Sequence, residues 1–325
     1  MANIGYTLMC EQRGPRDLVD DAVRAEAAGF DFAVCSDHYY PWLPEQGHAP
    51  YAWAVLGAAA YATERIGLMS FVTCPIQRYH PAVVAQKAAT VGVMSGGRFT
   101  LGLGAGENLN EHVAGGWPHT TQRHHMLDEA LEIIRPLLEG KTVHHSGVYF
   151  DVPDAKLWDL PEQPVPIGVA VSGRSSCELA ARHADALVAV EPDPKLIEMY
   201  REAGGRGPCY GQVALCYGPD EQECARIAHE QFRWFNLGWK VMAELPHPRS
   251  FHAAAQSTTP DQVAEQIPCG PDLDRHVEAV QKFVDAGFTD VAVVQIGGDT
   301  QPEFLDVAQK ELLPALNRLS PSARP

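Results

Sequence analysis

ANIGYTLMCEQRGPRDLVDDAVRAEAAGFDFAVCSDHYYPW, residues 2–42, has the pattern of a strand, a helix and a second strand. The two short runs Asn3–Met9 and Phe32–Ser36 are mostly apolar, as in parallel strands that are buried on both faces. Between them, Pro15–Ala28 begins with a proline, carries its apolar residues on one stripe and stops at Gly29, which is typical of a helix. This stretch therefore predicts a βαβ unit.

The same alternation continues along the rest of the chain. Six more short apolar runs, separated by amphipathic stretches, are predicted to be strands: Ile66–Thr73, Phe99–Gly104, Ile167–Val171, Ala186–Val190, Gln212–Tyr217 and Asp290–Gln295. Eight strands that alternate with helices over 325 residues predict an α/β protein with a single parallel (β/α)8 TIM barrel. A doubly wound sheet is the alternative, but the number of strands and the lack of a GxGxxG fingerprint count against it.

Two stretches interrupt the alternation and are predicted to be insertions at the carboxyl-terminal face of the barrel. Residues 141–166 are rich in turn-forming residues and predict a small hairpin. Residues 232–257 are rich in aromatic residues and histidine, and they predict a helical insertion near the barrel mouth because they are too long for a plain loop. Residues 1–325 are predicted to form one domain with a frayed tail at 320–325.

The composition excludes several classes of function. The chain has 25 Lys and Arg against 41 Asp and Glu, a net charge of −16, which argues against binding of nucleic acid or of an anionic membrane surface. No apolar run approaches the roughly 20 residues that span a bilayer, and the N-terminus lacks the pattern of a secretory signal. The 8 cysteines include no CxxC pair, so we expect reduced, buried thiols in a cytoplasmic protein.

The polar residues that follow the predicted strands are candidates for catalysis. In a parallel barrel, the positions just past the carboxyl ends of the strands share one face, and that face carries the chemistry. Glu11 follows the first strand, His38 the second and Glu107 the fourth, so two carboxylates and a histidine are predicted to form an acid/base group. The same strand ends also carry Asp37, Trp42, Asn110 and Glu111.

These residues also have other interpretations. Asp37 can cap a loop, and Glu11 can lie at the start of a helix. A divalent-metal site of a barrel hydrolase or isomerase is an alternative that uses four of the residues, Glu11, Asp37, His38 and Glu107. That alternative leaves Trp42 and the glycine-rich segment GLGAG unexplained, so no metal site is predicted.

Four segments taken together resemble one protein family. They are CEQRGPRDLV at 10–19, SDHYYPW at 36–42 followed by GHAP at 47–50, RYHPAVVAQ at 78–86, and GRFTLGLGAGENLNE at 97–111 followed by GWP at 116–118. Over essentially its whole length, the chain resembles the deazaflavin-dependent branch of the luciferase-like barrels, in particular the glucose-6-phosphate dehydrogenase-like subgroup that uses coenzyme F420. The resemblance implies a luciferase-like TIM barrel, usually a homodimer, that transfers a hydride between coenzyme F420 and an alcohol or carbonyl substrate.

The resemblance also implies catalytic roles for four residues. His38 is expected to take the proton from the substrate alcohol. Trp42 and Glu11 are expected to polarise the substrate or stabilise the intermediate. Glu107 is expected to be an acid/base group near the deazaflavin ring. A monooxygenase of the same superfamily that binds flavin mononucleotide (FMN) is the alternative.

Contacts with the cofactor are implied at further positions. A bulge with a non-prolyl cis peptide, here Phe71–Val72, is expected to back the ring. The remaining implied contacts are Asp37, Cys74 and Asn110, together with Ser172 and Gly173 beside the cofactor phosphate. Cys74 stands where relatives tend to have a hydroxyl residue.

The chain departs from the subgroup where a sugar phosphate would bind. Relatives that oxidise sugar 6-phosphates hold the phosphate with basic side chains after the sixth strand and before the last barrel helix. Here those segments, VAVEPDPK and DQVAEQIPCG, carry Glu191, Asp193 and Glu265. Carboxylates repel a phosphate unless Lys195 or Arg275 reaches in, so we expect an uncharged or apolar alcohol or ketone. The aromatic residues of the 232–257 insertion indicate the same class of substrate; they are Trp234, Phe235 and Trp239.

Overall fold

The short apolar runs pair side by side into a closed barrel of eight parallel strands. The computed structural model describes residues 1–322, so residues 323–325 of the predicted tail lie outside it. The strands are β1 (Asn3–Leu8), β2 (Phe32–Cys35), β3 (Gly67–Ser70), β4 (Phe99–Leu103), β5 (Val143–Ser146), β6 (Asp151–Ala155), β7 (Ile167–Ala170), β8 (Ala186–Ala189), β9 (Cys209–Leu215) and β10 (Asp290–Gln295). The order around the barrel is β1-β10-β9-β8-β7-β4-β3-β2, while β5 and β6 form a separate pair. The predicted TIM barrel is confirmed.

Helices connect the barrel strands. They are α1 (Pro15–Ala28), α2 (Ala52–Ala62), α3 (Pro81–Met94), α4 (Asn108–Glu111), α5 (Thr120–Leu138), α6 (Arg174–His183), α7 (Pro194–Glu202), α8 (Glu221–Phe232), α9 (Trp239–Met242), α10 (Pro248–Ala254), α11 (Pro260–Gln266), α12 (Leu273–Ala286), α13 (Gln301–Val307) and α14 (Leu313–Leu316). α1 ends where the sequence predicts, because Gly29 adopts the left-handed conformation with φ of 101° and its N–H donates to the last carbonyl groups. Within residues 1–322, no helix is long and apolar enough to cross a membrane.

The third strand is shorter than its apolar pattern predicts. β3 ends before Thr73, and the Phe71–Val72 peptide that follows is cis, as the resemblance implied. The N–H of Phe71 donates to the carbonyl of Cys35 at 2.8 Å, and the N–H of Thr73 donates to the carbonyl of Gly102 at 2.8 Å. Backbone hydrogen bonds to β2 before the cis peptide and to β4 after it therefore hold this bulge between the two neighbouring strands. The apolar pattern continues through the bulge, so the sequence alone extends the strand.

The insertion at 141–166 contains the antiparallel hairpin of β5 and β6. The Glu129 carboxylate on α5 accepts the backbone N–H groups of Val148, Tyr149 and Phe150 and so fastens the hairpin turn to that helix. The segment joins α5 to the start of β7, and the ring of Phe150 at the hairpin turn meets the ring of His80, just before α3, with ring centres 5.8 Å apart. None of its residues, all of which the structure describes, lines the cavity at the carboxyl-terminal face.

The insertion at 232–257 is helical and lies at the barrel mouth. It consists of the 3-10 helix Arg233–Leu237, followed by α9 and α10. Phe232, Trp234, Phe235 and Trp239 line the same cavity as residues from the strand ends. The insertion therefore forms one side of the candidate site.

Candidate active site

The carboxyl ends of the strands surround a cavity of about 420 Å³. This volume is in the usual range for a site that binds a small molecule or cofactor. Most of the predicted site residues line it: Glu11, Asp37, His38, Trp42, Phe71, Val72, Cys74, Glu107, Asn110 and Ser172. Gly173, the remaining predicted contact, is absent from the lining as the structure describes it, although its neighbour Ser172 is present.

Glu11 and His38 form a buried ion pair at the base of the cavity. The Glu11 side chain is fully buried, and its Oε1 contacts Nδ1 of His38. Its other oxygen, Oε2, accepts a hydrogen bond of 2.8 Å from the Ser36 hydroxyl. Burial alone would raise the pKa of Glu11, but the charge of His38 and these hydrogen bonds lower it below its ordinary value. The carboxylate is therefore ionised and orients the imidazole through Nδ1.

His38 lies between two carboxylates. Its second ring nitrogen, Nε2, is 3.5 Å from Oε2 of Glu107. Burial would lower the pKa of His38, but the charge and hydrogen bond of Glu11, with a further contribution from Glu107, raise it to about 9. His38 is therefore protonated at neutral pH, with Nε2 as the nitrogen available to the cavity.

Glu107 is placed by the glycine-rich end of β4. It follows Gly106, whose φ is 78° and where an added Cβ would lie 2.5 Å from Sγ of Cys74, so this position requires glycine. Asn110 donates from Nδ2 to Oε2 of Glu107 at 2.9 Å. The Asn110 Oδ1 accepts the N–H of Tyr39 at 2.9 Å, in the loop that carries His38. Asn110 therefore joins the segments that carry Glu107 and His38, and it also lines the cavity.

Asp37 is held by bonds within the protein. Its carboxylate accepts hydrogen bonds from Trp53 at 3.2 Å, from Thr73 at 2.7 Å and from Tyr79 at 3.2 Å. It also forms an ion pair with Arg78 at 3.2 Å. These contacts favour the structural interpretation of Asp37, in which it holds in place the loop after β2 that also carries His38.

Sequence reasoning missed the importance of Arg78. This buried side chain donates to the backbone carbonyl of Asp37 at 2.7 Å and pairs with Glu111 at 3.3 Å. Burial, together with the charge of Asp37, raises the pKa of Glu111 to about 6, although Arg78 opposes this rise. The only sequence signal was a basic residue in the loop after the third strand, where loop residues of a barrel reach the active face.

The remaining predicted contacts lie along the wall of the cavity. Cys74 is buried, and burial together with Glu111 raises the pKa of its thiol, so the thiol stays protonated. At the start of α6, the backbone N–H groups of Ser172 and Gly173 donate to Oγ of Ser176 at 3.0 and 3.2 Å. Ser172 and Ser176 line the cavity, so this end of the wall presents hydroxyl groups.

The structure also places the residues considered for a metal or for a phosphate. Within residues 1–322, no group of three or more His, Cys, Asp or Glu side chains is suited to hold a metal ion. Glu191 lines the cavity, whereas Arg275 pairs with Glu221 at 2.5 Å and Lys195 is exposed; neither cation is part of the described lining. The lining does include Arg123, which pairs with Glu244 at 3.0 Å, and the exposed Lys240.

Comparison with known proteins identifies relatives along the whole chain. The family model described as luciferase-like monooxygenase matches residues 3–290. An F420-dependent glucose-6-phosphate dehydrogenase of Microbacterium testaceum is 36% identical over 331 residues, covering 97% of each chain. The protein of the same name from Beutenbergia cavernae is 36% identical over 334 residues, covering 97% of this chain and 98% of that one.

One solved structure is similar to this chain in fold along nearly its whole length. It is an F420-dependent secondary alcohol dehydrogenase in complex with an F420–acetone adduct, with a TM-score of 0.88 and 29% identity. The match covers 97% of this chain and 99% of that one. The chain therefore belongs to the luciferase-like family of barrel oxidoreductases, on the branch whose named relatives depend on coenzyme F420.

Proposed function

We propose that this protein is an oxidoreductase that uses coenzyme F420 to interconvert an uncharged or apolar alcohol and its ketone or aldehyde. The observation that carries the proposal is the buried arrangement of Glu11, His38 and Glu107 in a cavity that also contains Trp42. A hydride transfer at an alcohol carbon requires one group that holds the hydroxyl proton, and His38 is suited to that task. The names of the relatives support the choice of cofactor.

The residues of the cavity wall fit a flat ring with an anionic chain. Gly104 and Gly106 keep the end of β4 free of side chains, since an added Cβ on Gly104 would lie 2.8 Å from Val72 Cγ2. The wall around Phe71–Val72 is apolar and suits a ring face. The hydroxyl group of Ser172 at the other end suits a phosphate, whereas the Ser176 hydroxyl donates to the Gly173 carbonyl at 2.9 Å.

The protein residues would handle the proton of the reaction. When bound, the deazaflavin supplies the acceptor or donor of the hydride. In alcohol oxidation, the carbon loses a hydride and the hydroxyl oxygen loses a proton, which Nε2 of neutral His38 accepts. Glu11 stabilises the imidazolium that forms, because its carboxylate already contacts Nδ1. In carbonyl reduction, protonated His38 returns the proton to the oxygen, and Glu107 at 3.5 Å is placed to exchange protons with it.

The proposed substrate class rests on the charge and the aromatic residues of the cavity. Glu191 lines the cavity where the named sugar-phosphate relatives are expected to have a lysine, so it would repel a phosphate. Of the two cations in the lining, Arg123 is already paired with Glu244 at 3.0 Å, and Lys240 is exposed. Trp42, Trp234 and Trp239 provide apolar surface on the side of the insertion. The structurally similar secondary alcohol dehydrogenase supports the same class of substrate.

A titration with coenzyme F420 tests the cofactor. We expect the indole fluorescence of the cavity tryptophans to be quenched on binding, and FMN to bind more weakly. No quenching by F420 up to about 100 µM would contradict the proposal, and preferential binding of FMN would favour the monooxygenase alternative.

A substrate panel with bound F420 tests the reaction. We expect turnover of simple secondary alcohols such as 2-propanol, with little or none of glucose 6-phosphate. Efficient turnover of glucose 6-phosphate, with 2-propanol inert, would contradict the proposed substrate class while leaving the proposed cofactor intact.

The oligomeric state and the cellular location of the protein are a separate proposal. The resemblance supports a cytoplasmic homodimer, and light scattering after gel filtration tests the dimer. We expect twice the chain mass of 35.4 kDa, and a single-chain mass at micromolar concentration would contradict the dimer.

A further inference from the structure

An ion pair between a buried arginine and a partly exposed glutamate connects the insertion to the loop that carries Trp42. Arg233, at the start of the insertion, is buried and donates from Nη2 to Oε1 of Glu45 at 2.7 Å. Its Nη1 donates to the carbonyl of Glu230 at 2.8 Å, at the end of α8. Nδ1 of His252, on α10, lies 2.9 Å from the guanidinium and 3.0 Å from the Glu45 carboxylate. One guanidinium thus joins α8, α10 and the loop after β2.

The residues next to this ion pair form an aromatic stack over the site. Trp234, the neighbour of Arg233, stacks on Trp42 with ring centres 4.2 Å apart and planes at 9°. Phe251, on α10 beside His252, meets the Trp42 ring edge-on at 5.1 Å and is fully buried. Trp42 in turn meets the His38 ring edge-on at 5.1 Å. The insertion therefore reaches the candidate base through two indole rings.

The ion pair is suited to hold this stack rigidly. Aromatic rings attract each other in several arrangements, so a near-parallel stack is easily exchanged for a tilted one unless the backbones are held. Opening this pair would leave the buried Arg233 guanidinium without its carboxylate partner, so the pair resists opening. Glu45 and Trp42 lie three positions apart in one loop, and Arg233 and Trp234 are adjacent, so a single pair fixes both backbones.

We propose that Arg233 and Glu45 are positioning residues that hold Trp234 against Trp42 and so set the orientation of Trp42 above His38. Neither residue lines the cavity as described, so they act through the two indoles and not by contact with the substrate. The consequence for catalysis rests on the proposed function, whereas the consequence for the stack does not. Misplacement of the rings would impair orientation of the substrate more than binding of the cofactor.

The variants Arg233→Met and Glu45→Gln test the proposal on the whole protein. Two stacked indoles give a coupled signal in near-ultraviolet circular dichroism, and Trp234→Phe defines the spectrum without it. We expect both variants to approach the Trp234→Phe spectrum while far-ultraviolet spectra stay native. With F420 and 2-propanol, we expect kcat/KM to fall about tenfold or more, with the Kd of F420 within about twofold of wild type.

The control is Arg226→Met, which removes an exposed arginine of α8 that pairs with Glu223 and Glu230. We expect it to leave the stack signal and kcat/KM unchanged. If Arg233→Met does not fold, Glu45→Gln decides, since it keeps the size of the side chain. Retention of the wild-type stack signal in a folded Glu45→Gln would overturn the proposal. If the wild-type protein does not oxidise 2-propanol, the proposed function fails, while the dichroism still decides the positioning role.

Discussion

The two halves of the cavity differ in charge and in how they are built. The ends of β1–β4 and the loops that follow them carry a cluster of ionisable groups: Glu11, Asp37, His38, Arg78, Glu107 and Glu111. The ends of β7–β10 contribute mostly small and apolar side chains: Ala170, Val171, Val188, Ala189, Val190, Ala214 and Val294. In the first half, each charge has a partner on another strand or loop, whereas the second half has the insertion packed beside it. Under the proposed function, proton transfer would belong to the first half of the barrel and substrate selection to the second.

The charged half is constrained by its own electrostatics. A buried ion requires a partner, so changing one member leaves another without compensation. An apolar wall has no such requirement, because its side chains contribute independently through area and shape. We therefore expect substitutions in the charged half to affect stability and rate strongly, and substitutions in the apolar half to affect which molecule is accepted.

The largest effect is expected at the structural centre of the charged half. Arg78→Met leaves Asp37 and Glu111 buried near each other without their cation, so we expect the free energy of unfolding to fall by about 3–5 kcal/mol. Equilibrium unfolding in urea, with the protein free of cofactor, measures this free energy. Arg226→Met, at an exposed ion pair, is the control and should change the free energy by less than about 0.5 kcal/mol. Equal effects of the two variants would contradict the proposed constraint.

The next effect concerns the candidate base. His38→Ala removes the group that holds the substrate proton, so we expect turnover of 2-propanol to fall roughly 10²-fold or more. The Kd of F420, from fluorescence quenching, should stay within a few-fold of wild type. His144→Ala, in the exposed strand β5, is the control and should leave both values unchanged. Parallel losses of binding and turnover would instead assign His38 to cofactor binding.

The two carboxylates around His38 predict the pH dependence. Because the pKa of His38 is raised to about 9, kcat/KM for alcohol oxidation should rise with pH through that value, and carbonyl reduction should fall. Glu11→Gln removes the larger of the two carboxylate contributions, so the inflection should move down by about one pH unit or more. Profiles of kcat/KM against pH, for alcohol oxidation and for carbonyl reduction, measure the position of this inflection. An inflection that stays in place would show that Glu11 does not set the protonation of His38.

The same raised pKa affects stability. The stabilisation from protonated His38 is fully present below its ordinary value of 6.5 and is lost as the pH rises through about 9. The free energy of unfolding of Glu11→Gln should therefore vary less than that of wild type between these pH values.

The smallest effect is expected in the apolar half. Glu191→Lys replaces a repulsive charge by an attractive one, so we expect glucose 6-phosphate to inhibit 2-propanol oxidation with a Ki about fivefold lower than in wild type. The matched control is Glu198→Lys on α7, which makes the same change at an exposed position outside the described lining. The same decrease in both variants would indicate a general effect of net charge and not a local one.

The fold was predictable because strand burial leaves a local pattern. Each barrel strand is covered on both faces, so it appears as a short apolar run between turn-forming residues, and all eight runs were found. The predicted strand boundaries were less accurate where the buried apolar run and the hydrogen-bonded strand do not begin or end at the same residue. β9 begins at Cys209 rather than Gln212, and β3 ends before the apolar run does, because side-chain burial continues where the ladder does not.

The candidate site was only partly predictable. Glu11, His38, Trp42 and Glu107 could be selected because strand ends of a parallel barrel share a face. The resemblance added a role for Trp42 and the cis bulge at Phe71–Val72. Their partners could not be selected in this way. Nothing periodic links Arg78 to Glu111, 33 residues apart, or Glu45 to Arg233, 188 residues apart.

The sequence by itself therefore determined the barrel and the strand ends that carry its acid/base residues, since both depend on local alternation of apolar and polar residues. Only the tertiary structure decided which charges pair, that Asp37 is held by bonds within the protein, and that the 141–166 hairpin lies away from the cavity. Those outcomes depend on distances between segments far apart in the chain. Coulombic and hydrogen-bonding energies follow such distances, and no pattern along the sequence encodes them directly.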